Sequence, residues 1–439
     1  MLKRSKIKSS LPKEILQEYN EQYGKDKVFC RAPFNSLRFF QNGETSACCL
    51  NRFYFTYGSY KNNSLKDILK SKERKLQQKH IKRYNLELGC DICQENMISK
   101  NFLGVMANIY KQNNIRKHLT RIDFELSHKC NLNCIMCSLQ VENKENPYNE
   151  LFIEDIKPHL RNLEIANFIG GEPFVIDLYY KIWDYIIKEN KNCIIRVITN
   201  ATILNEDVLK IIRYKNSEIT VSIDSIIDET YEKIRVGAKF ENVLSNFKII
   251  NKIMLDKGKT TQITICPIIL NAFEIPQLVD FANKERCRIA FNYTVFPHYL
   301  SLKYQKSILL KELIEHYKLF FNKIEITNDL IRNNINIFSD LINLLKAWYI
   351  ERLEIETNPK IITKSIALNY IKTQFKEPYP EYIYVFENKL PESWEVSKSL
   401  FDNLQSENNK NELYILSRYN YKSEDIVKYL AGYFELPIN

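Results

Sequence analysis

Cys130, Cys134 and Cys137 stand in the run HKCNLNCIMCSLQ, and Gly170, Gly171, Glu172 and Pro173 follow about thirty residues later. Thiolates at CxxxCxxC spacing hold three irons of a cube and leave the fourth open, because a closed cube takes four cysteines. A closed zinc site uses paired CxxC or CxxC with histidine instead. A buried structural trio, or a zinc knuckle borrowing His128, is the plainer alternative. Neither needs the glycine–glutamate segment.

This segment, with the downstream glycines, resembles the radical S-adenosylmethionine (SAM) enzyme superfamily. The resemblance covers roughly residues 121 to 300, from LSHKCNLNCIMCS through FIGGEPF and beyond. It implies a 4Fe–4S cluster on Cys130, Cys134 and Cys137 with SAM chelating the open iron. It also implies reductive cleavage of SAM to a 5′-deoxyadenosyl radical that removes a hydrogen from the substrate. In the same resemblance, Gly170, Gly171, Glu172 and Pro173 form the segment that binds the SAM amino group. A glycine pair lets backbone approach a ligand without side-chain collision. Asn200, in VITN, resembles a SAM-contacting position, with Ala201 where glycine is common. Ser222 and Asp224, in VSIDS, correspond to contacts with the methionyl or ribosyl part; otherwise Ser222 tolerates a strand edge and Asp224 caps a helix. Arg235 resembles the arginine that steadies the SAM carboxylate, the alternative being a surface arginine.

Met136 stands where an aromatic residue is common, and its thioether is soft enough to shield a cluster. Cys266-Pro267 falls where it would line the adenosyl region. Cys193, Cys266 and Cys287 otherwise read as small buried residues, with a hydrogen-donating cysteine as the rarer role. Asp123 and Glu125 share one face of the first barrel strand, since strand side chains alternate. Facing inward, Glu125 orients substrate or carries a proton; facing outward, it makes a salt bridge.

A second set of thiols, Cys30, Cys48, Cys90 and Cys93, precedes the barrel, with Cys49 beside Cys48. CRAPFNSLRFFQNGETSAC followed by GCDICQ resembles the auxiliary-cluster half of the SPASM/Twitch group, although that module commonly follows the barrel. The resemblance implies an auxiliary iron–sulfur cluster, of the 4Fe–4S type, ligated by Cys30, Cys48, Cys90 and Cys93. A register slip would exchange Cys48 for Cys49, and a four-cysteine zinc site is the competing reading.

These groups need elements to hold them. IDFELS, LEIANFIGG, CIIRVITN, EITVSID, TQITICPIIL and CRIAFNYTVF read as strands, separated for the most part by helical stretches near 174–189, 205–215, 241–257 and 275–284. That alternation implies a parallel sheet. The expected fold class is α/β: a partial (β/α)6 TIM-like radical SAM barrel with a small N-terminal auxiliary cluster domain and a mainly helical C-terminal region. In such sheets ligand groups gather at the carboxyl ends of strands, where Cys130, Gly170, Asn200 and Asp224 fall.

The expected domains are a polar lead-in at 1–29, an auxiliary cluster domain at 30–97, a connecting helix at 98–120, the barrel at 121–300 and an accessory region at 301–439. A short helix is expected around Pro12 to Tyr23. Asn42-Gly43 predicts a hairpin turn, and Ser64 is the expected cap of one helix running on through SLKDILKSKERKLQQKHIKRY. EYIYVFENK reads as a strand and EDIVKYLAGYF as a helix.

The 439 residues, 45% apolar, supply two or three domains with ample core material. The formal charge of +10 comes without a concentrated Arg/Lys track, which argues against nucleic acid as partner. The basic start lacks an apolar signal core, and no stretch reaches a transmembrane length, so the expectation is a cytoplasmic protein with no membrane partner. Eleven cysteines at ligand-like spacings point to reduced thiols rather than a disulfide framework.

The resemblance leads to a radical SAM oxidoreductase that modifies or crosslinks a ribosomally made peptide, reduced by a flavodoxin or ferredoxin-type partner. The alternatives are a small-molecule or sugar dehydrogenase or epimerase using the same radical chemistry, and a non-catalytic iron–sulfur electron-transfer protein.

Overall fold

Gly43, at φ +87°, turns the chain between β1 (Ser36–Phe39) and β2 (Glu44–Ser46), the antiparallel pair expected around Asn42-Gly43. A computed structural model describes residues 7–53, 55–111, 115–137, 146–294, 297–374, 381–396 and 398–405, together with 427, 430, 431, 433, 434 and 436. The chain forms two compact units, Met1–Cys130 with Glu142–Thr199 and Asp207–Glu218, and Asn131–Val141 with Asn200–Glu206 and Ile219–Asn439.

In the first unit β3 (Gly58–Ser59) pairs with β2, and the strand order is β3-β2-β1-β4-β5-β6. Here β4 is Arg121–Phe124, β5 is Ile165–Phe168 and β6 is Ile194–Thr199. β1 pairs in parallel with β4, setting Arg38 opposite Asp123 and Phe39 opposite Phe124. The cysteine-bearing block thus contributes a strand to the parallel sheet. Local patterning could not predict this long-range pairing.

One face of this sheet is aromatic. Phe39 and Phe124, and Phe124 and Phe168, stack at 6.2 and 4.9 Å between ring centroids. Tyr179, Ile182, Trp183 and Ile186 form the buried stripe of the helix Asp177–Glu189, at the spacing that brings one helical face to a core. Phe168 packs edge-on against both Tyr179 and Trp183. Because strand side chains alternate, Arg38, Asp123 and Glu125 point to the other face.

In the second unit β7 (Ser217–Ser222, entering from the first unit), β8 (Gln262–Ile265) and β9 (Arg288–Phe291) run parallel, Ile265 opposite Phe291. The helices Glu150–Leu160, Asp177–Glu189, Glu206–Arg213, Phe240–Asp256 and Ile275–Lys284 alternate with β4 to β9 along the chain. This is the partial (β/α)6 barrel expected. Asn334, on the long helix Asp329–Thr357, accepts from Ile289 N and donates to Cys287 O, satisfying backbone along β9.

The C-terminal region is mainly helical, with Ser307–Phe321, Asp329–Thr357, Lys364–Gln374, Glu381–Lys389 and Lys398–Gln405. It also holds an antiparallel pair, β10 (Lys360–Thr363) with β11 (Ser393–Val396). Ile362, Ile371, Ile383, Phe386, Trp394 and Phe434 belong to its core.

Three local expectations are corrected. Residues 98–120 hold no continuous helix: one helix ends at Ile98, a 3-10 turn spans Phe102–Gly104 and a short helix spans Ala107–Tyr110. Lys100 is left-handed at φ +58°, and Asn96 Nδ2 donates to Gly104 O, so side-chain bonding competes with the helix. EYIYVFENK is the helix Glu381–Lys389, because Ile383, Phe386 and Leu390 are buried together at helical spacing despite their β propensity. SLKDILKSKERKLQQKHIKRY holds two helices, Leu65–Lys70 and Lys72–Ile81, the second capped by Ser71. Ser64 caps the first as expected, and the N-terminal helix is Lys13–Tyr23. EDIVKYLAGYF lies largely outside the described residues. Among the described residues no helix is long and apolar enough to cross a membrane.

Candidate active site

In the first unit the Gly170–Glu172 segment sits on the chain leading into Cys130. Gly171 N donates to Ser127 O at 3.0 Å and Glu172 N to Lys129 O at 2.9 Å. Gly170 has φ +117°, and a methyl group there would meet Ser127 O at 2.4 Å; one on Gly171 would meet Lys129 O at 2.0 Å. These glycines therefore serve a backbone-on-backbone contact, a reason for them that the motif alone did not supply. Glu172, 2% exposed, accepts from Thr199 Oγ1 at 2.7 Å and from Phe174 N at 3.2 Å, and the buried Pro173 opens the following turn.

Tyr179 closes the same junction from the helix behind. Its hydroxyl lies 2.8 Å from Ile169 O and accepts from Leu126 N at 2.9 Å, tying together the ends of β4 and β5. Sequence reasoning missed it, since a tyrosine at helical spacing reads as core.

Glu125 is 2% exposed, and Arg38 Nη2 donates to its Oε2 at 2.5 Å. His128 Nε2 lies 3.1 Å from the other carboxylate oxygen. Arg121 Nε donates to Asp123 Oδ1 at 2.9 Å. Glu125 thus makes a salt bridge, as one of its two readings has it, but a buried one. Burial works against the Arg38 charge, and the carboxylates of Glu125 and Asp123 outweigh it, holding the guanidinium above its usual range.

The auxiliary thiols share a core with the N-terminal helix: Tyr19, Phe29, Cys93 and Met97 are buried together, with Cys30 and Cys90 packed against them. Asn51, 1% exposed, donates to Gly89 O at 2.5 Å and to Cys90 Sγ at 3.7 Å, while Cys48 Sγ lies 3.6 Å from its Oδ1. Ala32 N is 3.4 Å from Cys30 Sγ, Gln77 Nε2 is 4.0 Å from Cys90 Sγ, and backbone N–H groups of Met106 and Ala107 bond Cys93. The N–H donors at Cys30, Cys90 and Cys93 suit thiolate ligands of a cluster, whose potential such bonds tune, whereas the Cys48 thiol donates to the Asn51 oxygen. Burial pushes the Cys30 thiol up to about 12 and those of Cys48 and Cys90 well above their ordinary value.

Cys49 acts on the Cys48 and Cys93 thiols and also faces two arginines. Burial raises its thiol, opposed by the guanidiniums of Arg38 and Arg121. Among the described residues no three His, Cys, Asp or Glu side chains converge on a single ion position.

In the second unit Asn131–Cys137 runs alongside the segment carrying Arg235. Asn133 N donates to Val236 O at 2.9 Å and Ile135 N to Ile234 O at 3.0 Å, which sets Cys134 across from Arg235. Arg235 Nη1 lies 3.9 Å from Cys134 Sγ. Its Nε is 2.7 Å from Asp224 Oδ2 in a buried ion pair. Asp224 Oδ1 accepts from Cys266 N at 2.6 Å, rather than capping the next helix. Burial pushes the Asp224 carboxyl up, opposed by Arg235 and by that N–H, and Arg235 is only 8% exposed, not a surface arginine.

Asn200 Nδ2 donates to Asn131 Oδ1 at 3.0 Å, and its own Oδ1 accepts from Thr202 N at 2.9 Å. Ala201 has φ +55°, the left-handed backbone that makes glycine the easier residue there. Ser222 is buried at the end of β7. Cys266 Sγ lies 2.7 Å from Thr294 Oγ1, and Cys193 and Cys287 are fully buried.

The family model of the radical SAM superfamily matches residues 124–282, and that of the SPASM iron–sulfur cluster-binding domain matches residues 30–94. The two matches span just over half of the chain, which belongs to the radical SAM superfamily and carries an associated SPASM domain. Among curated relatives, the antilisterial bacteriocin subtilosin biosynthesis protein AlbA of Bacillus subtilis is 29% identical over 172 residues, 37% of this chain and 36% of AlbA. GTP 3′,8-cyclase of Clostridium botulinum is 25% identical over 176 residues, 38% of this chain and 54% of the cyclase. The chain therefore spans between about a third and a half of the length of these relatives. The crystal structure of Streptococcus suis SuiB bound to precursor peptide SuiA aligns at a TM-score of 0.37 and 18% identity, over 52% of this chain and 51% of that one.

Proposed function

We propose that this chain is an enzyme that oxidatively modifies or crosslinks a ribosomally made peptide by radical SAM chemistry. In this reading Cys130, Cys134 and Cys137 hold a 4Fe–4S cluster whose open iron takes SAM, and Cys30, Cys48, Cys90 and Cys93 hold an auxiliary 4Fe–4S cluster. With an electron from a flavodoxin or ferredoxin-type donor, the bound groups supply a 5′-deoxyadenosyl radical that abstracts hydrogen.

The observation that carries the reading is the seating of Gly170–Glu172 on Ser127–Lys129, immediately before Cys130. That contact orders the loop and the acidic group meant for the SAM amine before any ligand arrives, which lowers the cost of binding. Glu172 is fixed by Thr199 and Phe174 N, so its carboxylate is pre-aimed. Asn200, clasped to Asn131, and Ser222 are assigned to SAM as well. Glu125, 3.1 Å from His128, is assigned to orienting substrate or carrying a proton. The protein's remaining contribution is to hold reactants close and exclude competing hydrogen donors.

The peptide assignment leans on similarity to the protein named for subtilosin biosynthesis. Similarity to GTP 3′,8-cyclase favours the second reading, a small-molecule substrate. Anaerobic reconstitution with reductant, SAM and candidate peptide, read by mass spectrometry, separates them. A two-dalton loss in the peptide supports crosslinking or oxidation. Formation of 5′-deoxyadenosine with no peptide change removes the peptide assignment, and no 5′-deoxyadenosine at all removes the enzymatic one.

A further inference from the structure

We infer that Arg235 is a positioning residue for reduction of the SAM-binding cluster: its guanidinium donates an N–H to the Cys134 thiolate and raises the potential at which that cluster accepts its electron. This rests on the proposed assignment of Cys134 as a cluster ligand.

Three observations place the guanidinium. The two flanking backbone bonds, Asn133 N to Val236 O and Ile135 N to Ile234 O, fix Cys134 opposite Arg235. Nη1 is 3.9 Å from Cys134 Sγ, within reach of an N–H to sulfur bond. Asp224, fully buried and itself held by Cys266 N, grips the Nε side at 2.7 Å and keeps the fork turned toward the sulfur. Ile234, Cys266, Ile268 and Leu300 form the apolar cluster of this region, with Ile135 and Met136 packed against it.

The chemistry follows from charge. One electron from a flavodoxin or ferredoxin-type donor adds one negative charge to the cluster and its thiolates. A cation hydrogen-bonded to a ligand sulfur stabilises the reduced form more than the oxidised form, and hydrogen bonds to sulfur are an established lever on cluster potential. Burial keeps water from screening the effect. Asp224 partly neutralises the guanidinium, so it sets direction at some cost in strength. Arginine suits the place because one rigid planar fork serves two partners, which a lysine ammonium does not.

The test is a potentiometric titration of the full-length, anaerobically reconstituted protein by electron paramagnetic resonance, with the cluster identified by its spectral change on adding SAM. Arg235→Lys and the charge-balanced Arg235→Gln/Asp224→Asn are compared with the parent protein, the double variant avoiding an unpaired buried carboxylate. The expected result is at least a tenfold lower reduced-to-oxidised ratio at fixed potential, about 59 mV for one electron, in both variants at unchanged iron content. Unshifted potentials with weakened SAM binding would overturn the inference and return Arg235 to the SAM carboxylate. A parent protein that assembles no SAM-responsive cluster would overturn the underlying reading, a result distinguishable from the first.

Discussion

Arg38, on the hairpin of the SPASM-matching block, ion-pairs with Glu125, just past β4, at 2.5 Å with both side chains almost wholly removed from water. The pair exists because β1 joins β4 in parallel register. Removing one member of a buried pair leaves an uncompensated charge, which costs about 3–5 kcal/mol. Arg38→Met and Glu125→Leu are therefore each expected to destabilise the fold by about that amount, and Arg38→Met/Glu125→Leu to recover most of the loss. Chemical denaturation of the four proteins in a double-mutant cycle checks it. Additive single effects would mean that the pair carries no coupling.

Gly171→Ala places a methyl group 2.0 Å from Lys129 O, a backbone atom with no rotamer to yield. The segment must lift off the chain entering Cys130, and a displacement of about 1 Å near reacting groups costs about a hundredfold in rate. The expected outcome is loss of SAM cleavage by that factor or more with overall secondary structure retained. Circular dichroism with quantification of 5′-deoxyadenosine separates this from unfolding.

What the sequence made legible was local. The cysteine spacings, the glycine–glutamate segment and the strand and helix periods of the barrel are each written within a few neighbouring residues. Partners at long range were not legible. Arg38, Tyr179 and Asn51 went unremarked, because each acts through a neighbour 38 to 87 positions away, Gly89, Leu126 and Glu125 among them. The helix Glu381–Lys389 was misread because aromatic and β-branched residues favour a strand locally, whereas its burial pattern obeys helical spacing. Arg235 was recognised as a candidate from its motif, but its partner Asp224 and its reach to Cys134 required the fold.

Cys48 and Cys49 are adjacent yet experience different surroundings. Cys48 is buried beside Asn51 and in the field of Cys49, Cys30, Cys90 and Cys93, whereas Cys49 responds to Arg38, Asp123 and Arg121. Cys48→Ala is expected to lose the auxiliary share of iron and sulfide, and Cys49→Ala to keep it. Metal analysis of the reconstituted variants decides, and iron loss from Cys49→Ala alone would exchange their roles.

Thiol reactivity in the metal-free protein should follow burial. Cys130 and Cys137 are exposed, whereas Cys193 and Cys287 are fully buried. Burial raises both buried thiols from 9.0 to about 12, which lowers their thiolate population at pH 8 by about a thousandfold, and the thiolate is the nucleophile. Anaerobic iodoacetamide labelling at pH 8, followed by peptide mass spectrometry, should mark Cys130 and Cys137 within minutes and leave Cys193 and Cys287 unmodified until denaturant is added. Raising the pH toward 10 should leave the buried pair slow, because their titration lies higher still. Labelling of Cys193 at the rate of Cys130 in native buffer would contradict both its burial and its position at the start of β6.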